Sequence, residues 1–219
     1  LVDGAELPAA NYSVSYKNNT NAGADATITI SGKGQCQGKV TKTFSIVPRS
    51  IEQDCTVTVA KAVYSGKALT PAATVKWGGK TLKKGKDYTV SYEKNIQAAD
   101  LSAQDAPCIT VSGIGNYAGK ITQPFTIQPK EIAESSISVQ IAYDETGSRL
   151  RVASGKTELD ETQYRKDSVV IYKAGTSTRV GMDELALGEK YDIEITLCGN
   201  YRVKNKDSAF KKNIMSRRD

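Results

Sequence analysis

The chain contains no histidine, one tryptophan, two methionines and three phenylalanines in 219 residues. Without histidine, the commonest general base and the commonest metal ligand are missing, and no serine or cysteine has an imidazole to activate it. Cys36, Cys55, Cys108 and Cys198 lack metal-ligand spacing, and there is no phosphate loop, EF-hand loop or G-x-S-x-G elbow. No long uncharged run is present, which argues against a membrane span. The first residue is Leu1, without a signal peptide or initiating Met, so the chain reads as a mature or excised fragment. These absences leave no candidate catalytic, cofactor-binding or metal-binding residue. An enzyme is the least favoured class.

Apolar residues make up 39% and charged residues 25%, the balance of a soluble globular chain rather than a disordered one. The net charge of +6 is spread out, with small clusters at Lys80, Lys83, Lys84 and Lys86 and at Lys211, Lys212, Arg217 and Arg218. Spread charge serves solubility, so nucleic acid is not expected as a partner; an anion-binding patch is the alternative.

What the sequence does contain is a repeat. Residues 30–51 read ISGKGQCQGKVTKTFSIVPRSI and residues 111–132 read VSGIGNYAGKITQPFTIQPKEI. Ser31, Gly32, Gly34, Gly38, Lys39, Thr41, Phe44, Ile46, Pro48 and Ile51 recur without a gap as Ser112, Gly113, Gly115, Gly119, Lys120, Thr122, Phe125, Ile127, Pro129 and Ile132. A third, degenerate copy keeps Gly155-Lys-Thr157, Leu159, Tyr164, Tyr172 and Gly199-Asn-Tyr201. A period of about 80 residues means an array of like modules.

Within each module the pattern is that of strands. Tyr12–Tyr16, Tyr88–Tyr92 and Ser168–Tyr172 are short β-rich runs. Ala26, Ile28 and Ile30 alternate with Thr27, Thr29 and Ser31, and Tyr191, Ile193, Ile195 and Leu197 alternate with Asp192, Glu194 and Thr196. Period-two alternation predicts half-buried antiparallel strands, and evenly spaced short strands with glycine turns predict β-sandwich modules. Phe44–Ile46 and Phe125–Ile127 read as last strands, ended by Pro48 and Pro129, with Arg49-Ser50 and Lys130-Glu131 as short linkers that restrict bending. A last strand near Ala209–Ile214 closes the third copy. The predicted modules are 1–48 (partial), 49–129 (complete) and 130–219 (degenerate).

Module one is the anomaly. Gly4-Ala-Glu-Leu7 before Tyr12 matches Gly79-Lys-Thr-Leu82 before Tyr88, but nothing in the sequence matches Cys55–Val75. A sandwich without two strands exposes apolar surface and a bare edge. Module one is therefore expected to be the least stable part, completed by an upstream segment or covered by a partner.

Three smaller features bear on function. The cysteines fall at unlike places in the repeat, Cys36 where Tyr117 and Tyr201 stand, so they read as free thiols; a Cys36–Cys55 bridge is the alternative. Asp160/Glu161 and Asp183/Glu184 lie in polar stretches and read as solvated loop charges. Trp77 precedes Gly78-Gly79 at a hairpin tip, where its ring either covers the edge of its own core or stacks on a sugar.

The motifs Tyr64-Ser-Gly-Lys-Ala-Leu-Thr-Pro71, Gly79-Lys-Thr-Leu-Lys-Lys-Gly-Lys-Asp-Tyr-Thr-Val-Ser-Tyr92, Ser112–Lys120 and Phe125-Thr-Ile127 resemble the bacterial Ig-like repeats of Gram-positive cell-surface proteins. Tyr16–Gly23 is similar to the loop that follows that tyrosine in such repeats. The resemblance is strong over the first two modules and weak over 136–219. It implies an all-β chain of tandem immunoglobulin-like antiparallel β-sandwich modules, secreted or wall-associated, that acts as a stalk, spacer or adhesive array without an active site. The expected partners are neighbouring modules of a parent chain and, in an adhesive reading, a glycan or a host extracellular protein. The alternative is a carbohydrate- or host-ligand-binding module with Trp77 or the third module as its site.

Overall fold

A computed structural model describes residues 4–145, 147–204 and 209–218. The chain is all-β, with antiparallel sheets and only single-turn 3₁₀ helices. It divides into two compact units: Leu1–Val59, Ala72–Tyr92 and Ile109–Gln123 in one, and Ala60–Pro71, Glu93–Cys108 and Pro124–Asp219 in the other. The second repeat contributes segments to both.

The first unit carries three three-stranded sheets. Tyr12–Lys17, Gly23–Gly32 and Lys39–Ile46 form an antiparallel sheet with Gly23–Gly32 in the middle. The repeat makes its counterpart from Tyr88–Glu93, Cys108–Gly113 and Lys120–Pro124, with Cys108–Gly113 in the middle. Both sheets carry the same cross-strand threonine pair, Thr29–Thr41 at 3.0 Å and Thr110–Thr122 at 3.1 Å. The third sheet comprises Cys55–Val59, Ala73–Trp77 and Lys80–Thr81. Its alternation follows the sequence: Cys55, Val57 and Val59 are half-buried while Thr56 and Thr58 are exposed. Desolvation on that inner face, then the neighbouring Asp54 carboxylate, push the Cys55 thiol up from its ordinary pKa.

At two recurring positions, Gly32 and Gly113, glycine is required by space alone. A Cβ on Gly32 would lie 2.5 Å from the Cys36 carbonyl oxygen, and one on Gly113 would lie 2.7 Å from the Ala118 nitrogen. The backbone doubles back there so tightly that only a residue without a side chain fits.

In the second unit, Gly147–Ser154 lies between Thr157–Leu159 and Ile137–Asp144, with Arg217–Arg218 added in parallel on the far edge. Lys190–Thr196 is flanked by Val170–Lys173 and Ala209–Met215. The inward residues of both sheets form one buried cluster that includes Ile141, Val152, Leu159, Tyr164, Ile193, Ile195, Leu197 and Phe210. Burying each aliphatic side chain of this kind is worth about 1.5–3 kcal/mol, enough to hold a degenerate repeat together. The alternation seen in sequence at Tyr191, Ile193 and Ile195 is the buried face of the central strand.

Three expectations change. Arg49-Ser50 and Lys130-Glu131 are not linkers: Arg49–Ser50 and Lys130–Ile132 are strands, each in a parallel ladder, with Tyr117–Ala118 and Tyr201–Val203 respectively. Pro48 and Pro129 fall in the breaks between strands, and the next amides, those of Arg49 and Lys130, donate to the Asn116 and Asn200 carbonyls. Phe125–Ile127 is not one strand. The strand stops at Pro124, and Ile127–Gln128 switches to a parallel pairing with Ala62–Val63. All four cysteines are free, so the Cys36–Cys55 bridge does not form. Val2, which stands where Trp77 stands in the repeat, lies outside the described residues.

Candidate functional site: a joint made twice

The pairing of the two supposed linkers builds one arrangement in two places, each inside one unit. In the first, the Arg49 amide donates to the Asn116 carbonyl at 2.9 Å and the Ile51 amide to the Ala118 carbonyl at 2.9 Å. In the second, the Lys130 amide donates to the Asn200 carbonyl at 2.8 Å and the Lys204 amide to the Ile132 carbonyl at 2.9 Å. Ile51 and Ile132, recurrent in the repeat, are the buried residues that end each ladder.

The side chains of Asn116 and Asn200 complete the joint. Asn116 Oδ1 accepts the Ala22 amide at 2.6 Å and its Nδ2 donates to Asn21 Oδ1 at 2.9 Å. Asn200 Oδ1 accepts the Ala98 amide at 2.6 Å and its Nδ2 donates to Gln97 Oε1. The preceding glycines hold the turn, Gly115 at φ +65° and Gly199 at φ +59°. A Cβ at Gly199 would lie 2.4 Å from the Thr162 carbonyl oxygen. In each case an asparagine of one repeat reads the backbone of the loop that follows the strand tyrosine of the repeat before it.

The two copies differ in depth. Asn200 is buried and fully satisfied, since its own amide also donates to Gln163 Oε1 at 3.1 Å. Asn116 is exposed. Tyr201 packs edge-on against Tyr64, ring centroids 5.4 Å apart, and burial raises its phenol pKa. The Glu131–Arg202 pair at 2.6 Å is half-exposed and adds little. In sequence, Tyr117 and Tyr201 stand out only as sharing one register, and the asparagines before them pass unnoticed; the recurring Gly-Asn-Tyr was the available signal.

Trp77 ends its strand, opposite Cys55 on one side and Lys80 on the other. Gly78 and Gly79 turn the chain with φ of +50° and +83°, the all-positive pair that fits a tight hairpin. The ring is half-buried, and the Arg49 guanidinium lies 4.0 Å from its centroid. One ring face is therefore occupied by a residue of the joint. The interaction is worth about 0.5–1 kcal/mol at such a site.

The third repeat contains a cavity of about 520 Å³, bordered by Leu150, Tyr164, Lys166, Val169, Val180 and Met182 among others. Several of its polar groups are engaged locally: Lys166 with Glu161 at 2.7 Å, and the Ser148 hydroxyl with the Met182 carbonyl at 2.7 Å. Asp160 accepts from the hydroxyl and amide of Thr162, which holds its carboxyl below the ordinary range. Among the described residues no group of three or more Cys, Asp or Glu side chains is placed to hold a metal, and no helix is long and apolar enough to cross a membrane.

No protein-family model matches the chain, and no curated protein or solved structure matches it.

Proposed function

We propose that this chain is a non-enzymatic structural segment of a bacterial cell-surface or secreted protein, in which tandem immunoglobulin-like β-sandwich modules act as spacer or adhesive display. The repeated joint carries the reading. Asn116 and Asn200 make the same contacts to the preceding repeat, and both ladders spend backbone hydrogen bonds on linking one repeat to the next. Such contacts serve mechanical succession, not chemistry. The resemblance of the first two repeats to surface modules supports an extracellular setting.

The second reading is a module that binds a glycan or a host protein. The cavity of the third repeat favours it, as a hollow where Leu150, Val169, Ile171 and Val180 meet Arg149, Glu161 and Lys166. Trp77 is a weaker contact candidate, because Arg49 covers one face of its ring. A glycan and extracellular-matrix array probed with residues 1–219 separates the two. The spacer reading expects no specific binding. Specific binding that is lost on Tyr164→Ala or Trp77→Ala, with the fold retained, replaces it with the binding reading.

A further inference from the structure

The sheet Tyr12–Ile46 has one wholly polar face and one apolar face. In register, Ser13 faces Ser31, Ser15 faces Thr29 and then Thr41, and Lys17 faces Thr27 and then Thr43. On the other side Val14, Ile30 and Val40 form one row, with Tyr16 and Ile28 in the next and Ala26 beside Phe44. That apolar face is open around one row, where Val14 is 42% exposed, Ile30 41% and Val40 56%, while Ala26 at its other end is buried. The repeat supplies an internal control. Ile109 and Val111, which stand where Ile28 and Ile30 stand, are 0% exposed, and Tyr88, the counterpart of Tyr12, is buried.

The difference between the two sheets lies in the segment Cys55–Thr81. In the second repeat its inner residues Val57, Ala73 and Val75 lie on the less exposed side, Leu82 donates its amide to the Val75 carbonyl at 2.9 Å, and the Tyr88 hydroxyl reaches the Ala73 carbonyl at 3.5 Å. The first repeat retains the exit from that segment. Gly4 has φ +84°, against +83° at Gly79, and each is followed three residues later by a leucine, Leu7 or Leu82. Such a φ suits the second position of a tight hairpin, the place that Gly79 holds. In the second repeat the hairpin's arriving strand is Ala73–Trp77, whose Ala73 carbonyl accepts the Tyr88 hydroxyl of the sheet.

We propose that the apolar face of the Tyr12–Ile46 sheet receives a two-stranded β segment with the chemistry of Cys55–Trp77, alternating small and β-branched apolar residues inward with Thr and Lys outward, continuous with the chain through the turn at Gly4. Lys42 is the only charged side chain on the face, and it sits on an outer strand, so the occupant is apolar on its inner side. The inference is independent of the surface-display reading, because it rests on the repeat's own geometry.

The test extends the 219-residue chain at its N-terminus with a copy of residues 50–75, so that the copy of Val75 precedes Leu1 as Val75 precedes Lys76. Hydrogen exchange is followed over 12–46, with 88–123 as internal reference. Exchange over 12–46 slows at least about tenfold in the extended chain and approaches the reference. A second extension carrying Val57→Asp and Val75→Asp in the appended copy leaves 12–46 as unprotected as the parent chain. Unchanged exchange in the first extension overturns the proposal, and so does equal protection by the second, which would be an effect of tethering alone. Protection of 12–46 that appears with concentration in the unextended chain also overturns it and makes a second copy the occupant. If the extended chain fails to fold, the peptide 50–78 added to the unextended chain decides: saturable slowing over 12–46 supports the proposal, and none up to the peptide's solubility limit overturns it.

Discussion

The side-chain oxygen of Asn200 accepts the backbone amide of Ala98, 102 residues earlier in the chain, at 2.6 Å. Asn200 is buried and Ala98 half-buried, so replacing Asn200 leaves the Ala98 N–H without its acceptor where water has little access, while the exposed Gln97 side-chain oxygen turns to solvent. Asn200→Ala is expected to cost roughly 1–3 kcal/mol, the penalty of an unsatisfied buried polar group. Asn116→Ala makes the equivalent change at an exposed joint, where water substitutes, and is expected to cost under about 1 kcal/mol. Denaturant titration of both variants gives the comparison. Equal losses would mean that burial does not set the strength of the joint.

Much of this architecture was legible in the sequence because alternation and turn chemistry are local. The strand carrying Tyr191, Ile193 and Ile195, the hairpin at Gly78-Gly79 and the glycine turns of the repeat all follow from residues a few positions apart. The joints were not legible, because a parallel pairing of two or three residues leaves no periodicity to detect. Arg49-Ser50 looks like a linker until Tyr117 lies beside it. Asn116 and Asn200 were visible only as part of Gly-Asn-Tyr, whose partners lie about a hundred residues away.

Gly113→Ala tests the tightness of the repeated turn. The added methyl would meet the Ala118 nitrogen at 2.7 Å and the Tyr117 carbonyl carbon at 2.9 Å, both backbone atoms that cannot move independently. A loss of about 1–3 kcal/mol is expected, in the range of strain at a constrained backbone position. At Gly23 the only close atom is an oxygen of the exposed Asp25 side chain, at 3.2 Å, and not backbone, so Gly23→Ala is expected to be near neutral. Thermal melts of the two variants decide; a Gly113→Ala protein as stable as its parent would show that the turn relaxes freely.

Arg49 and Trp77 are coupled through the guanidinium over the indole ring. A double-mutant cycle with Arg49→Ala and Trp77→Ala is expected to give an interaction energy of about 0.5–1 kcal/mol. The indole fluorescence of this single tryptophan should also shift in Arg49→Ala, because one face of the ring is uncovered. Strict additivity with an unchanged spectrum would release Trp77 from the joint and strengthen its standing as a ligand contact.

The pH dependence of stability follows from which groups titrate and which do not. With no histidine, no side chain has an ordinary pKa between about 5 and 8, so stability should be flat there. On the acid side, Asp192 is held below the ordinary carboxylate range first by the Asn213 side-chain amide and then by the Gly175 backbone amide, and Asp160 by the hydroxyl and amide of Thr162. A lowered folded-state pKa stabilises above the unfolded value of about 4, and that contribution is lost as pH falls through the folded one. On the alkaline side, burial raises the phenols of Tyr88 and Tyr164, so their contribution is complete below about 10 and is lost as pH rises. The Cys55 and Cys198 thiols, raised chiefly by burial, extend the same loss slightly lower, from about 8.5 upward. Denaturant midpoints measured across this range should trace a plateau with two falling shoulders, the upper one coinciding with phenolate absorbance. A step between about pH 5.5 and 7.5 would require a shifted carboxylate or thiol that none of these environments provides.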